Sequence, residues 1–325
     1  MPFVIPLRQP TWVPIASQRY RNRPVPAAYF VDGYQRSRAF IVTERPGAAA
    51  CDALWRLAWE QGVTTVVLIG VLQGMEEWFL PELGRVRSFR DLSVRGHTER
   101  ALVGCVVRET IVSKLKGRSR RCGERRLQLW QYTDWPELGM PDSPLQLLHF
   151  TRRIIVSEHC TGSPTLVVSG SPSCSAGLFV GLATLLTQLK HKQELGVFSY
   201  WQHAIGQCPH LLTTLAEYAF LHDCLLERVT AGETLVPRDG ARRYLEQLQS
   251  SCGTGFPHST AEKQYNSATD LKVRHFTVSS GNRPCNESKR RGSSFIQMED
   301  SRVRLAPTFG LDGTDYVNAS WLPGT

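Results

Sequence analysis

Two short runs of aliphatic and β-branched residues, Val63–Ile69 (VTTVVLI) and Thr165–Val168 (TLVV), constrain the fold more than any other feature of the chain. Neither alternates apolar with polar residues, so each reads as a strand covered on both faces. Ala48–Gln61 (AAACDALWRLAWEQ) precedes the first run. It sets Leu54, Leu57 and Ala58 on one helical face, and Gly62 stops it. The second run is followed by a loop of small residues and then by Gly177–Gln188, which is apolar enough for a central helix. Helices alternating with doubly covered strands are the grammar of an α/β fold.

The remaining segments fit that frame. Ala28–Val42 alternates around Asp32-Gly33 and predicts a hairpin. Ala101–Val112 and Arg126–Thr133 read as further strands. Ser143 and Pro144 open a helix to about Glu158, the serine as N-cap and the proline at the first helical position. Leu211–Arg228 carries Leu211, Leu215, Tyr218, Ala219, Leu225 and Leu226 at helical spacing. Residues 1–27, rich in proline and arginine, form an irregular lead-in. Composition shifts after Val229: residues 230–253 read as a linker with one short helix, and Thr254–Asn282 is polar. From Arg283 a new pattern starts, and the final YVNASWLPGT reads as a strand interrupted in mid-fold.

The net charge of +9 raises a polyanion as partner. Much of the excess is local, at Lys114, Lys116, Arg118, Arg120, Arg121, Arg125 and Arg126, with no aromatics interleaved for base stacking. A solvated basic loop or hairpin is expected there, and no nucleic acid. A surface for anions or lipid headgroups is a further reading, one that strong salt dependence would reveal. The nine cysteines are odd in number and include no CxxC pair, the pattern of reduced thiols. His159-Cys160 has no second pair at ligand spacing, so no metal site is expected. No apolar run approaches the ~18 residues of a membrane span, and Pro2, Pro6, Arg8 and Pro10 break up any secretory pattern.

Six stretches resemble one family in one order. FVDGYQRSRAFIVTERPG (30–47) is similar to INASFIDGY…YIATQGP, and ALWRLAWEQGVTTVVLIG (53–70) to DFWRMVWE…IVML. EEWFLPE (76–82) stands where the family has C-x-x-YWP. QYTDWPELGMP (131–141) matches the mobile acid loop T-x-WPD-x-G-x-P. TLVVSGSPSCSAGLFVGL (165–182) sits at the phosphate loop, VVHCSAGVGRTGTF. QCPHLLTTLAEYAFLHDCLLE (207–227) is similar to QRP…VQTEEQYxFxHxAxLE. The family is that of the protein tyrosine phosphatases. Residues 233–249 resemble the connector of tandem receptor-type members, and residues 288–324 resemble the start of a second domain. The resemblance implies a cysteine-dependent tyrosine-phosphatase-like α/β fold, a twisted mixed sheet flanked by helices. It implies domains at 28–229 and, truncated, at 254–325.

Phosphotyrosine hydrolysis needs an activated thiolate and a cradle of N–H groups with an arginine fork. It also needs a carboxylic acid for the leaving phenolate and a glutamine that orients water. Between Val168 and Phe179 this chain has ten residues, SGSPSCSAGL, where the family has eleven. In one register Gly170 takes the nucleophile position and Cys174 lies mid-loop. In the other, Cys174-Ser175-Ala176-Gly177 is the family's CSAG. In both, Cys174 is the one candidate nucleophile, and Ser169, Gly170, Ser171, Ser173, Ser175, Ala176 and Gly177 hold phosphate-loop positions. Neither register supplies an arginine, since none occurs between Ser169 and Lys190. The bland account of Cys174 is a small residue filling a tight loop, and that of SGSPS is a plain turn.

Glu137 replaces the acid-loop aspartate. The second domains of receptor phosphatases, mostly of low activity, often carry the same WPE. Thr213 and Glu217 stand at the glutamine positions, and Trp135 and Pro136 are read as packing that pins the acid loop. Trp55 and Trp59 are read as scaffold. The resemblance thus implies a receptor-type phosphatase-like protein, catalytically inactive, that binds phosphotyrosine proteins or another phosphatase domain. The rival is an active phosphatase using Cys174, with Glu137 as acid and an arginine such as Arg120 or Arg121 reaching in. No cofactor is implied. The location implied is the cytoplasmic side of a membrane receptor, through a segment outside this chain.

Overall fold

Thr65–Ile69 and Thr165–Ser169, the two doubly covered runs, lie side by side as parallel strands, with Val66 against Leu166 and Leu68 against Val168. The computed structural model describes residues 11–13, 27–70, 79–116, 120–136, 139–141, 143–157, 162–170, 174–234, 236, 238–250, 260–269, 277–292, 296–299 and 301–321. Through them the chain runs β1 (Ala28–Gly33), β2 (Arg36–Glu44), α1 (Cys51–Glu60), β3 (Thr65–Ile69), β4 (Val86–Phe89), β5 (Leu92–Leu102), β6 (Cys105–Lys116) and β7 (Arg120–Tyr132). It continues as α2 (Pro144–Val156), β8 (Thr165–Ser169), α3 (Cys174–Lys192), α4 (Val197–Gln207), α5 (Leu215–Ala231), α6 (Ala241–Ser250), α7 (Thr260–Thr269), β9 (Arg302–Arg304) and β10 (Tyr316–Ser320). It divides into two compact units, residues 1–264 and 265–325.

In the first unit the described strands form one mixed sheet of eight, ordered β1-β2-β8-β3-β7-β6-β5-β4. Strands β2, β8, β3 and β7 run parallel to one another, and the remaining pairings, β1 with β2 and β7 through β6 and β5 to β4, are antiparallel. The period of two along each strand divides the core between the two faces. Leu166 and Val168 of β8, with Val66 and Leu68 of β3, meet Leu54, Trp55 and Leu57 of α1. Val167, Val67 and Ile69 point the other way, into a cluster with Leu147 and Phe150 of α2, Phe179 and Leu182 of α3, and Leu221 of α5.

Most expected elements are present, and the exceptions have local causes. Ala101–Val112 is not one strand, because Gly104 adopts φ +71° and reverses the chain between β5 and β6. Leu211 does not begin a helix. Thr214 caps α5, accepting from the Glu217 N–H while the Glu217 carboxylate accepts from the Thr214 N–H. The helix α4 was not expected, although Val197, Tyr200, Trp201 and Ala204 are buried at its i, i+3, i+4, i+7 positions. The polar stretch after Thr254 contains α7. From the lead-in, Val13 N–H donates to Ala28 (2.9 Å), and Thr11 accepts from Phe30 N–H (2.8 Å). The basic segment is the end of the β6–β7 hairpin, with Lys114 opposite Gly123 and Lys116 opposite Arg120.

The second unit contains a two-stranded antiparallel sheet of β9 and β10 and a 3-10 turn at Pro284–Lys289. Its described interior is chiefly polar: Ser280, Asn286 and Arg302 are buried there beside Tyr316.

Candidate functional site

The parallel strands β2, β8, β3 and β7 end together at Glu44, Ser169, Ile69 and Tyr132. Their C-terminal edge is where open α/β sheets bind ligands. The segments leaving that edge are the ones that carry the expected phosphate-loop and acid-loop positions. The core strand β8 therefore delivers the candidate loop to the centre of the sheet.

The connection from β8 to α3 is short. Ser169 is the last residue of the strand and Cys174 the first of a 19-residue helix. The helix was expected near Gly177; it starts three residues earlier, so Cys174, Ser175, Ala176 and Gly177 form its first turn instead of a loop. Gly170 follows the strand directly and donates its N–H to the Ile69 carbonyl at 2.9 Å. Ser169 and Ser175 are buried, and their hydroxyls meet at 2.8 Å. Ser175 Oγ also donates to the Ile69 carbonyl at 3.3 Å. These two serines close the strand against the helix, so their hydroxyls are already engaged. Of the expected loop positions, Ser171 and Ser173 lie outside the described residues, as does Glu137.

Two glycines allow this close junction. Gly70, at φ +92°, faces Ser175, and a Cβ there would come within 2.8 Å of Ser175 Oγ and 3.2 Å of Gly170 N. Gly177 lies against the backbone of Leu211, where a Cβ would overlap the carbonyl. Gly177 was singled out as a loop position, and its observed part is close helix packing. Gly70 was missed; its signal in the sequence is a glycine directly after a buried strand.

The acid-loop anchors Trp135 and Pro136 are half-buried, and Trp135 packs on the helical core with its ring 6.1 Å from that of Tyr132. Glu217, at a position where the resemblance implies a water-orienting glutamine, is buried and accepts from Thr213 N–H (2.7 Å) and Thr214 N–H (3.2 Å). Its carboxylate is thus a helix cap. Thr213 is exposed. Arg120 and Arg121 begin β7, at the end of the strand away from Tyr132, on the order of 35–40 Å along an extended chain. No side chain spans that distance. Arg45 adjoins the loop through its backbone, its N–H donating to Ser169 at 2.8 Å, and its side chain is exposed.

A cavity of about 250 Å³ opens beside the junction, lined by Tyr29, Glu44, Ser169, Ala176, Cys208 and His210. Burial pushes the Cys208 thiol up to about 11, and burial, Cys208 and Glu44 together raise the Tyr29 hydroxyl. Cys51 is pushed up to about 12, and Cys105 and Cys224 are likewise raised, each chiefly by burial. None of these four is a ready nucleophile near neutral pH.

The anchor of the β1–β2 hairpin was not foreseen. Asp32 Oδ2 accepts from His203 Nε2 (2.9 Å) and Gln207 Nε2 (2.7 Å), and Oδ1 accepts from Arg38 N–H (2.7 Å). Partial burial opposes ionisation of Asp32, but these donors outweigh it and hold the carboxyl below its usual value.

The protein-tyrosine phosphatase family model matches residues 10–227. Tyrosine-protein phosphatase 99A of Drosophila melanogaster is 32% identical over 303 residues, covering 91% of this chain and 22% of the relative. Receptor-type tyrosine-protein phosphatase zeta of Rattus norvegicus is 29% identical over 313 residues, covering 91% of this chain and 13% of that relative. Receptor-type tyrosine-protein phosphatase F of Homo sapiens is 27% identical over 304 residues, covering 91% and 16%. The chain belongs to the protein-tyrosine phosphatase family. It contains a receptor-type phosphatase-like domain and spans about a fifth or less of the length of these relatives. Among the described residues no helix is long and apolar enough to cross a membrane.

Proposed function

We propose that this chain is a catalytically inactive phosphatase-like domain that binds or regulates partners in phosphotyrosine signalling. The observation that carries the reading is the absence of any arginine between Ser169 and Lys190. A phosphoryl group at this junction would lack the bidentate, charge-assisted contacts of a guanidinium from the loop itself. The cap formed by Glu217 supports it, since that carboxylate is occupied by two backbone N–H groups. Partners of this class are phosphotyrosine proteins or another phosphatase domain, met on the cytoplasmic side of a receptor membrane. Residues 28–229 form the phosphatase-like domain, 230–253 the connector and 254–325 the opening of a second copy. Restoring the aspartate alone, Glu137→Asp, would not recover turnover, because a well-placed general acid contributes only about 10²–10⁴ in rate.

The test is hydrolysis of p-nitrophenyl phosphate by the purified chain. The expected result is no turnover above background. Turnover that vanishes in Cys174→Ser would overturn the proposal and establish the rival, an active phosphatase working through Cys174.

A further inference from the structure

The cavity beside the junction, about 250 Å³ in volume, opens between the exposed residues Glu44 and His210. Among the described residues its lining holds one carboxylate, that of Glu44, and neither lysine nor arginine. Arg45 follows Glu44 in the chain but takes no part in the lining. Tyr29 faces the same space. The pKa of its hydroxyl is raised by burial, then by Cys208 and by Glu44, so the carboxylate lies close to that hydroxyl. The Tyr29 hydroxyl has no hydrogen-bond partner among the described residues, yet it is not one of the polar atoms sealed in the interior. The Glu44 carboxylate and the His210 ring are likewise without a partner among them. By contrast, Ser169 is engaged with Ser175, and the Cys208 thiol, kept neutral by burial, accepts from the His210 N–H.

The sequence changes the charge here in one direction. Where the family has ATQGP and QRP, this chain has VTERP and QCP, so Glu44 stands for a glutamine and Cys208 for an arginine. The lining thereby gains a negative charge and loses a positive one. A phosphate would meet the Glu44 carboxylate with no guanidinium in the lining to offset it. The first turn of α3, which adds Ala176 to the wall, carries about half a positive charge, less than the full charge of Glu44. A cation fits instead. Among the described residues no three His, Cys, Asp or Glu side chains gather as metal ligands. Val42 and Leu211 add apolar wall, which suits a cation with an aliphatic tail. We propose that this cavity binds a primary alkylammonium group, its nitrogen donating to Glu44 and Tyr29 and its chain lying against Val42 and Leu211. The imidazole of His210 offers a further acceptor at the mouth. The charged nitrogen stays near that mouth, where Glu44 compensates it and its desolvation is partial. This site goes beyond the inactive reading and does not depend on it.

The probes are butylammonium, butanol and inorganic phosphate, titrated into the full chain at constant ionic strength and about pH 7.5, where the amine is charged. The methyl NMR signals of Val42 and Leu211 are followed. Butylammonium is expected to give saturable shifts at both residues with a Kd of about 1–10 mM, and butanol and phosphate none. Glu44→Gln should weaken butylammonium about five-fold, and Tyr29→Phe about three-fold. Cys208→Arg should abolish its binding. An unchanged Kd in Glu44→Gln, equal binding of butanol, or saturable phosphate binding at these methyls in the native chain would overturn the site. If Cys208→Arg does not fold, the exposed Glu44→Gln decides. A blocked lysine, N-acetyl-lysine methylamide, separates the sources of the ammonium. Binding as tight as that of butylammonium supports the lysine side chain of another protein, and binding of butylammonium alone supports a free amine.

Discussion

At Gly177 the Cα faces the carbonyl of Leu211 so closely that an added Cβ would overlap it, with Leu212 also within 3.2 Å of that Cβ. The obstacle is backbone, which cannot rotate aside as a side chain would. The φ of Gly177 is not in question, because the residue is helical; space alone requires glycine here. Gly177→Ala is therefore expected to destabilise the chain by about 3 kcal/mol, at the upper end for overpacking. Urea unfolding followed by tryptophan fluorescence would measure it. A change of a few tenths of a kcal/mol would mean that α3 and the Cys208–Thr214 segment separate freely. Ser175 depends on the same packing. Its hydroxyl reaches both Ser169 Oγ and the Ile69 carbonyl only because the first turn of α3 is held close to the sheet edge.

The helix α5 begins where its capping box begins. Glu217 is buried, accepts from two N–H groups and fixes the turn that carries Thr213 and Thr214. Glu217→Ala removes both acceptor contacts of the cap, which is expected to cost about 1–2 kcal/mol. Glu217→Gln keeps one acceptor oxygen in the same place and should cost less than half as much. Paired thermal denaturation of the two variants checks this order, and equal losses would show that charge, not the cap geometry, matters. On the proposed reading, the double substitution Thr213→Gln with Glu217→Gln, which brings glutamine to the family positions, gives no turnover of p-nitrophenyl phosphate, because the segment still lacks an arginine. The helix α4 holds the β1–β2 hairpin through Asp32, so a helix missed in the sequence anchors the strand pair at one edge of the sheet.

The two units are stabilised by different physics. Residues 1–264 bury two large apolar clusters, one on each face of the sheet, whereas the second unit depends on a polar network. There Glu299 accepts from Ser280 N–H (2.6 Å) and Arg302 Nε (2.9 Å), and Arg302 Nη2 lies 2.9 Å from Asp315 Oδ2. The hydrogen bonds from Ser280 and then Arg302 lower the Glu299 carboxyl from 4.5 to about 2. A carboxyl lowered in the folded state contributes stability that is fully present above its unfolded value, and this stability is lost as pH falls through the folded one. Amide protection at Ser280 is thus expected to hold above pH 4.5 and to disappear as the pH approaches about 2. Hydrogen exchange across that window, in the full chain, reads it directly. Glu299→Gln should remove the pH-dependent part, and loss of protection already complete at pH 4.5 would show that Glu299 does not hold the unit.

How far the sequence reached depended on whether a feature was local. VTTVVLI and TLVV were legible as doubly covered strands, and Ser143-Pro144 as a helix start, because composition over a few residues fixes burial and capping. The missing arginine needed no coordinates either, since no register can supply a residue that the segment lacks. The loop was less legible. Small residues such as Ser, Cys, Ala and Gly permit either a turn or a helix, so SGSPSCSAG did not by itself fix where α3 would begin. The choice of Cys174 as the first helical residue rests on contacts remote in sequence: Ile69 accepting from Gly170 and Ser175, and Leu211 seated against Gly177. Glu217 shows the same limit, because a family position suggested chemistry while neighbouring backbone donors made it a cap. Local pattern determined the two doubly covered strands, the start of α2 and the lack of an arginine in the segment. The sheet order and the close approach of distant segments, which sum interactions across the whole chain, decided what each remaining side chain does.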